Sequence, residues 1–322
     1  MSFAKVVKKE ILEHDIQDSQ EALAFMSSLF RACGSLSRSS QGLSAELVTD
    51  CRDLFSFVDK LTKRLYGENL KLSLYDDHII NKTIYYRIAF PSSISFTILT
   101  DCGVLERNSE GIEINQKPDS NLLCDENTKI AYLKGAYIGC GTSSIKLSQL
   151  GSKMPTTGYH VEFPSKHREF LESVQELLQN FDISAKIATR KSTFVLYIKD
   201  SESIKDLLAL FGAVSSVFDL TNEMATRELR NTINRQINCI NANISKTVEA
   251  SLKQVEAINL INKKIGLDSL PDDLQEVAVL RLANQQESLD ELLKLSTLKL
   301  TKSGLNHRFR RILKIAQLLK GE

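Results

Sequence analysis

Apolar positions along the first two thirds of this chain switch between two periods, and the switching itself repeats. Leu54, Val58, Leu61 and Leu65 recur at three- and four-residue steps, which predicts a helix starting near Asp50. Before it, a helix opened by Ser19 or Gln20 runs through Ala32 to Gly34, and a strand spans 43–49. After it come strand-like stretches at 70–75 and 82–90 and a closing helix at 92–102. The same order returns as a helix at 127–140 ending at Gly141, a strand at 157–163, a helix at 165–180, strands at 184–190 and 192–199, and a closing helix at 201–211. Lys82, Ser92 and Gly103 recur 109 positions later as Lys191, Ser201 and Gly212, while Gly34 recurs 107 later as Gly141. Four landmarks so close to one offset point to a duplication. The expected class is α+β. Each half, about 20–105 and 126–213, is read as α-β-β-α-β-β-α, with two antiparallel sheets and helices packed on them. The polar stretch 106–126, with Pro118, is expected to link the halves.

Beyond this repeat domain (1–215) the pattern is helical. A helical linker is expected at 216–265 and an all-α domain at 266–322. Pro271 suits a first helical turn, and Asp272 and Asp273 favour the positive end of the helix dipole. Leu274, Val277 and Ala278 give that helix an apolar face. Ser288 to Glu291 has the form of a capping box. Thr301 is the expected N-cap of a last helix whose apolar stripe is Leu305, Phe309, Ile312, Ala316 and Leu319. Lys302, Asn306, Arg310 and Lys314 sit four apart on another face, with Ser303, His307, Arg308 and Arg311 beside them. Helix, short helix, turn, basic helix is the helix-turn-helix order.

Charge sharpens that reading. From Lys299 to Lys320 there are seven Lys or Arg and no acid, whereas Asp268 to Glu291 holds seven acids and only Arg281. The formal net charge is +1, so affinity for nucleic acid must come from a local patch. Arg and Lys neutralise phosphates or read guanine, and Asn can read adenine, so duplex DNA is the expected partner of the last helix. Its competitor is a solvated surface helix.

The remaining chemistry is sparse. At 322 residues the chain can hold two domains. Its six cysteines form no Cys-x-x-Cys pair and read as buried or semi-buried thiols in a reducing compartment. The five histidines show no ligand spacing, so neither a metal nor a cofactor is expected. The N-terminus lacks a signal-type apolar region, and no window approaches a membrane span of roughly 18 apolar residues. A cytoplasmic, nucleoid-associated monomer is expected. Arg227, Arg230, Asn231, Asn234 and Arg235 lie on one side of a helix in the linker. Five Asn between 231 and 243 weaken a helix unless they bond to something. A structural joint, nucleic-acid contact and a protein partner all remain open for them.

The first helix of each half carries small residues four apart, Ser28 and Ala32 in one, Gly135 and Gly139 in the other. Such faces let two helices approach closely, so the pair is expected to form the axis of a pseudo-twofold domain, with Lys134 nearer solvent. Here the residues resemble a known family. Met26-Ser-Ser-Leu-Phe-Arg-Ala-Cys-Gly34 and Leu133-Lys-Gly-Ala-Tyr-Ile-Gly-Cys-Gly141 are similar to the paired motif helices of LAGLIDADG homing endonucleases. In those enzymes the eighth motif position is an acid that holds divalent metal for phosphodiester hydrolysis. In this chain it is Cys33 and Cys140, and no Asp or Glu occurs from Ala22 to Ala45 or from Asn127 to Val161. Thiols are poor ligands for hard cations. The resemblance therefore implies the scaffold without the chemistry.

A degenerate LAGLIDADG domain followed by a helix-turn-helix resembles the WhiA family of sporulation and cell-division regulators. The resemblance is carried by Met1-Ser-Phe with Val7-Lys-Lys-Glu10 and by the Asn-rich run Arg230 to Asn243 with Lys246-Thr247. It continues in Leu270-Pro271, Leu280-Arg281, Ser288 to Leu292, and Lys302-Ser-Gly-Leu-Asn-His-Arg308. The loop 146–155 matches less clearly. The family implies a non-enzymatic DNA-binding regulator of transcription, or of cell division and chromosome segregation, with RNA polymerase or another regulator as a further partner. The alternatives are an RNA-binding maturase-like protein, disfavoured because A-form RNA hides its major groove, and an active LAGLIDADG endonuclease.

Overall fold

A computed structural model describes residues 2–39, 42–74, 84–108, 111–145, 158–296 and 300–321. The chain divides into two compact units, Met1–Thr226 and Arg227–Glu322.

The first unit opens with α1 (Phe3–Glu13), which buries Phe3, Val7 and Ile11. One copy of the repeat follows: α2 (Ser19–Cys33), β1 (Gly34–Ser39), β2 (Gly42–Thr49), α3 (Asp53–Tyr66), β3 (Lys71–Leu74), β4 (Tyr86–Ala89) and α4 (Ser92–Asp101). A hairpin, β5 (Leu105–Asn108) and β6 (Gly111–Ile114), comes next. The second copy comprises α5 (Glu126–Cys140), β7 (Thr142–Ser143), β8 (Val161–Ser165), α6 (Arg168–Gln179), β9 (Lys186–Arg190), β10 (Thr193–Ile198) and α7 (Ser201–Leu210). Each copy makes a four-stranded antiparallel sheet, and the orders are equivalent: β1-β2-β4-β3 and β7-β8-β10-β9.

The duplication reaches individual residues. Gly103 and Gly212 follow the closing helices with left-handed φ of 63° and 74°, a conformation glycine adopts without strain. Phe25 of α2 lies 5.2 Å from Phe57 of α3, and Tyr132, its equivalent on α5, lies 6.5 Å from Phe170 of α6. The two motif helices pack through their small residues. A Cβ built on Gly135 would fall on the Phe25 carbonyl oxygen and Ser28 Oγ, and one on Gly139 would come within 2.5 Å of Ala32 Cβ. Lys134, expected nearer solvent, is half-buried, and loss of hydration lowers its pKa.

Several expectations need correction. The linker expected at 106–126 contains part of the β5–β6 hairpin. β1 starts at Gly34 and β7 at Thr142, immediately after Gly141, and no apolar periodicity marks either. Helix α6 starts at Arg168, because Ser165 still pairs with Phe194 in the sheet. Tyr75, Lys82, Thr157 and the loop 146–155 lie outside the described residues.

Arg31 of α2, 6% exposed, ties the first unit together. Its guanidinium donates to the carbonyls of Ser27 (3.1 Å), Gly103 (2.6 Å), Asn115 (3.1 Å) and Lys117 (2.9 Å), joining α2 to the segment around the hairpin. Burial lowers its pKa. The long helix α8 (Val214–Ile265) begins in this unit under a cap supplied by α1. Ser215 and Ser216 N–H donate to the Glu10 carboxylate at 2.9 and 3.1 Å, where the helix dipole favours negative charge.

In the second unit α8 ends before Gly266, which has φ of 81°. α9 (Asp272–Ala283), α10 (Leu289–Leu295) and α11 (Lys302–Lys320) follow. Ile258 and Ile261 of α8, Leu274 and Val277 of α9, Leu292 of α10, and Leu305, Phe309 and Ile312 of α11 form one core. Among the described residues no helix is long and apolar enough to cross a membrane.

Candidate functional site

Two places qualify, and they differ in what their side chains can do. The first is where the motif helices end. Cys33 and Cys140 are the last residues of α2 and α5, and each thiol turns back onto its own helix, with Sγ 3.4 Å from the Leu29 and Ala136 carbonyl oxygens respectively. Burial pushes both thiols up to about 12, so they are neutral at ordinary pH. The position that carries an acid in the similar enzymes is uncharged here.

Sequence reading missed two other groups at this place. Lys8 of α1 is 7% exposed, and its Nζ lies 3.6 Å from Asp50 Oδ1. Its charge acts on both thiols, opposing the effect of burial. Asp50 lies just beyond the stretch searched for substitute carboxylates, and forty-odd residues from Lys8, so no local spacing could have paired them. A hard divalent cation suits oxygen donors, whereas this set is two neutral thiols, one carboxylate and an ammonium already bound to it. The residues do not fit such a metal. Among the described residues no group of three His, Cys, Asp or Glu could hold a metal ion.

The second place is α11. Its local structure follows the expected signals. Thr301 Oγ1 accepts from Gly304 N–H at 3.1 Å, and Ser288 with Glu291 forms a reciprocal capping box at the start of α10. Leu305, Phe309, Ile312 and Ala316 are buried, which fixes the rotation of α11. Behind them Arg281, 2% exposed, lies 5.2 Å over the Phe309 ring and donates to Gln254 Oε1 (2.9 Å) and to the Asn284 (3.2 Å) and Glu287 (2.7 Å) carbonyls. One side chain thus joins α8, α9, the turn before α10, and α11.

The expected contact residues then separate. Asp273 of α9 accepts from Arg308 Nε at 3.2 Å and from Arg311 Nη1 at 3.1 Å, so these two guanidiniums are tied within the unit. Lys302 is paired with Asp290 of α10. Ser303, His307, Arg310 and Lys314 are exposed, and among the described residues Arg310 and Lys314 have no acidic partner within 4.0 Å. At 3.6 residues per turn these four fall within a sector of about 60°, directly opposite the buried stripe. Asn306 is half-exposed at the edge of that sector. Of the linker residues, Asn231, Asn234 and Arg235 are exposed, and Arg235 bends back to the Asn231 carbonyl (3.3 Å) and Thr232 Oγ1 (3.4 Å). Arg227 and Arg230 are half-exposed.

Comparison with known proteins matches both units. The family model of the WhiA LAGLIDADG-like domain covers residues 22–81 and 129–230, and that of the WhiA C-terminal HTH domain covers 233–316. The probable cell division protein WhiA of Clostridium tetani is 36% identical over 324 residues, 100% of this chain and 99% of that one. Its counterpart in Clostridium beijerinckii is 35% identical over 321 residues, 99% of each chain. A crystal structure of full-length DUF199/WhiA from Thermatoga maritima superposes with a TM-score of 0.58 at 25% identity, covering 98% of each chain. With a duplicated LAGLIDADG-like unit that lacks its acids, a helix-turn-helix after it, and relatives matched from end to end, this chain belongs to the WhiA family.

Proposed function

We propose that the chain is a non-enzymatic regulator that binds duplex DNA through α11 and acts in transcription or in cell division and chromosome segregation. The functional division is a repeat scaffold (1–215), a helical linker (216–265) and the helix-turn-helix (266–322). The observation that carries this reading is the row Ser303, His307, Arg310 and Lys314, uncommitted and aimed away from the core of its unit. A helix with that row in a major groove sets two cations against phosphates or guanines, with Asn306 at the edge within reach of a base. Arg308 and Arg311 act one step back, holding α11 against α9 through Asp273. The names of the Clostridium relatives support the cell-division role. RNA polymerase or another regulator is a further partner under the same reading, and the setting is cytoplasmic, on the nucleoid.

The test is the salt dependence of duplex binding. Arg310→Ala with Lys314→Ala should lower the affinity and reduce the slope of log K against log salt by up to about 0.9 for each phosphate that is no longer neutralised. Arg308→Ala with Arg311→Ala should change the slope less and loosen the α9–α11 packing instead. Binding by the Arg310/Lys314 variant with wild-type affinity and slope removes α11 from the interface.

A further inference from the structure

A cavity of about 230 Å³ lies within the second unit. Lys246 and Gln254 of α8, Arg281 of α9, Ser288 and Asp290 at the start of α10, and Lys302 at the start of α11 line it. Two of these side chains are almost sealed from water: Arg281 is 2% exposed and Gln254 5%. Polar groups so deeply buried are ordinarily hydrogen-bonded. Arg31 in the first unit follows that rule, with Nε, Nη1 and Nη2 all donating to carbonyls. Arg281 departs from it. Its Nε donates to Gln254 Oε1 and its Nη1 to the Asn284 and Glu287 carbonyls, but Nη2 has no partner among the described residues. Burial lowers the pKa of this guanidinium, and the Glu287 carboxylate opposes that effect without forming an ion pair among the described residues. The bond from Arg281 Nε also orients the Gln254 amide. Its oxygen faces the arginine, so its NH2 group points away, and that group too has no partner among the described residues.

Around these two donors the acceptors are already taken. Asp290 is held by Lys302. Ser288 Oγ accepts from Glu291 N–H at 3.3 Å, which leaves its own O–H to give. Lys246 is exposed and has no acidic partner among the described residues. The walls therefore offer N–H and O–H groups from α8, α9 and the start of α10, and three cations stand against one carboxylate. A fitting ligand must be negative and must accept from several directions at once. A carboxylate has two oxygens in one plane. A phosphate group has three acceptor oxygens set around a tetrahedral centre, and it takes a guanidinium edge, an amide, an ammonium and a hydroxyl together. A water fills roughly 30 Å³ of liquid, so the cavity has room for such an oxyanion and for a substituent on it.

We infer that this cavity binds a phosphate group, with Arg281 Nη2 and Gln254 Nε2 at its floor, Ser288 Oγ on its wall and Lys246 at its rim. Arg281 then serves two purposes with different edges of one guanidinium. Nε and Nη1 bracket the helices, and Nη2 meets the ligand. Filling the site satisfies the last donors of the residue that joins α8, α9 and the turn before α10, so occupancy stabilises the helix-turn-helix. The exposed row of α11 takes no part in it.

The test is calorimetric titration of the full chain with inorganic phosphate, without DNA and at constant ionic strength. One phosphate should bind per chain with a Kd below about 10 mM. Gln254→Glu keeps the acceptor for Arg281 Nε, so the bracket survives, but it sets a carboxylate where the phosphate oxygens lie. It should weaken binding by roughly tenfold or more, with an unchanged or raised Tm. Lys246→Gln should weaken binding severalfold, and Lys263→Gln, at an exposed lysine further along α8, should not. Should Gln254→Glu melt lower than wild type, the two surface lysines decide alone. No saturable binding by the wild type overturns the inference, and so do wild-type affinity in a folded Gln254→Glu protein or equal losses in the two lysine variants. A duplex titration then separates two sources of the phosphate. A salt slope reduced by up to about 0.9 in Gln254→Glu places a DNA backbone phosphate in the cavity. An unchanged slope, with inorganic phosphate no longer bound, places a free phosphorylated molecule there. Either result keeps the site. Because the calorimetry uses no DNA, its failure leaves the recognition-helix reading untouched.

Discussion

Around the motif helices and around α11, charge is treated in opposite ways. The first place draws Lys8 and Arg31 inward. Lys8 is buried against Asp50 beside two neutral thiols, and Arg31 is surrounded by carbonyls. The second uses one buried arginine, Arg281, as a bracket and two more, Arg308 and Arg311, as ties to Asp273, and it leaves Arg310 and Lys314 in water. A buried cation that already has its partners can hold a scaffold but can offer little to a ligand. The contrast supports the proposed division, with architecture in the repeat and recognition in the helix-turn-helix.

The largest effect that could break this comparison concerns the motif helices. Gly135→Leu should destabilise the first unit by about 3 kcal/mol or more, because the new side chain meets the Phe25 backbone and not a flexible neighbour. Lys134→Leu, one position away, should cost less than about 1 kcal/mol, since it exchanges a half-buried stem for another of similar bulk. Thermal melts decide it, and equal small shifts in both variants would mean that the helices do not pack through their small faces.

Next come the two buried arginines. Arg281→Met should cost about 2–4 kcal/mol, from hydrogen bonds to a charged group that are no longer made and from acceptors left unpaired. Hydrogen exchange should then quicken in α9, α10 and α11 while α2 and α5 keep their protection, and Arg31→Met should do the reverse. Loss of protection in both units from either change would show that they are not separately stabilised.

The smallest effect is chemical. With thiols held at about 12, roughly one Cys33 or Cys140 in 10⁴ is ionised at pH 8, so a disulfide reagent should label exposed Cys124 and Cys239 first and those two far more slowly. The slow pair should speed up as pH rises towards 12 or when the protein is unfolded. Rapid labelling of Cys33 or Cys140 in the folded protein at pH 8 would show the first site to be open.

What is legible in the sequence is what local physics controls. The Ser288 capping box, the Thr301 cap and the buried stripe of α11 follow from spacing, and the facing of Gly135 and Gly139 against Ser28 and Ala32 from residue size. What stays hidden is set by distant partners. β1 is Gly-Ser-Leu-Ser-Arg-Ser, with almost no apolar alternation, and it is a strand because Gly34 to Ser39 pair with β2. Lys8 meets Asp50, and Asp273 takes up Arg308 and Arg311, across gaps that no periodicity spans. The basic cluster of α11 is visible as a cluster. Which of its members are committed becomes visible only when the acidic side of α9 is placed against it.

The cap of the long helix has a consequence for how the chain is made. Glu10 is made long before the backbone groups that it holds, which belong to Ser215 and Ser216, more than 200 positions later. At about 5–20 residues per second, α1 waits on the order of ten seconds or longer for them. Until then Phe3, Val7 and Ile11 lack much of the surface that covers them in the finished unit. A helix made before both copies of the repeat is thus among the last parts of the unit to be locked in place.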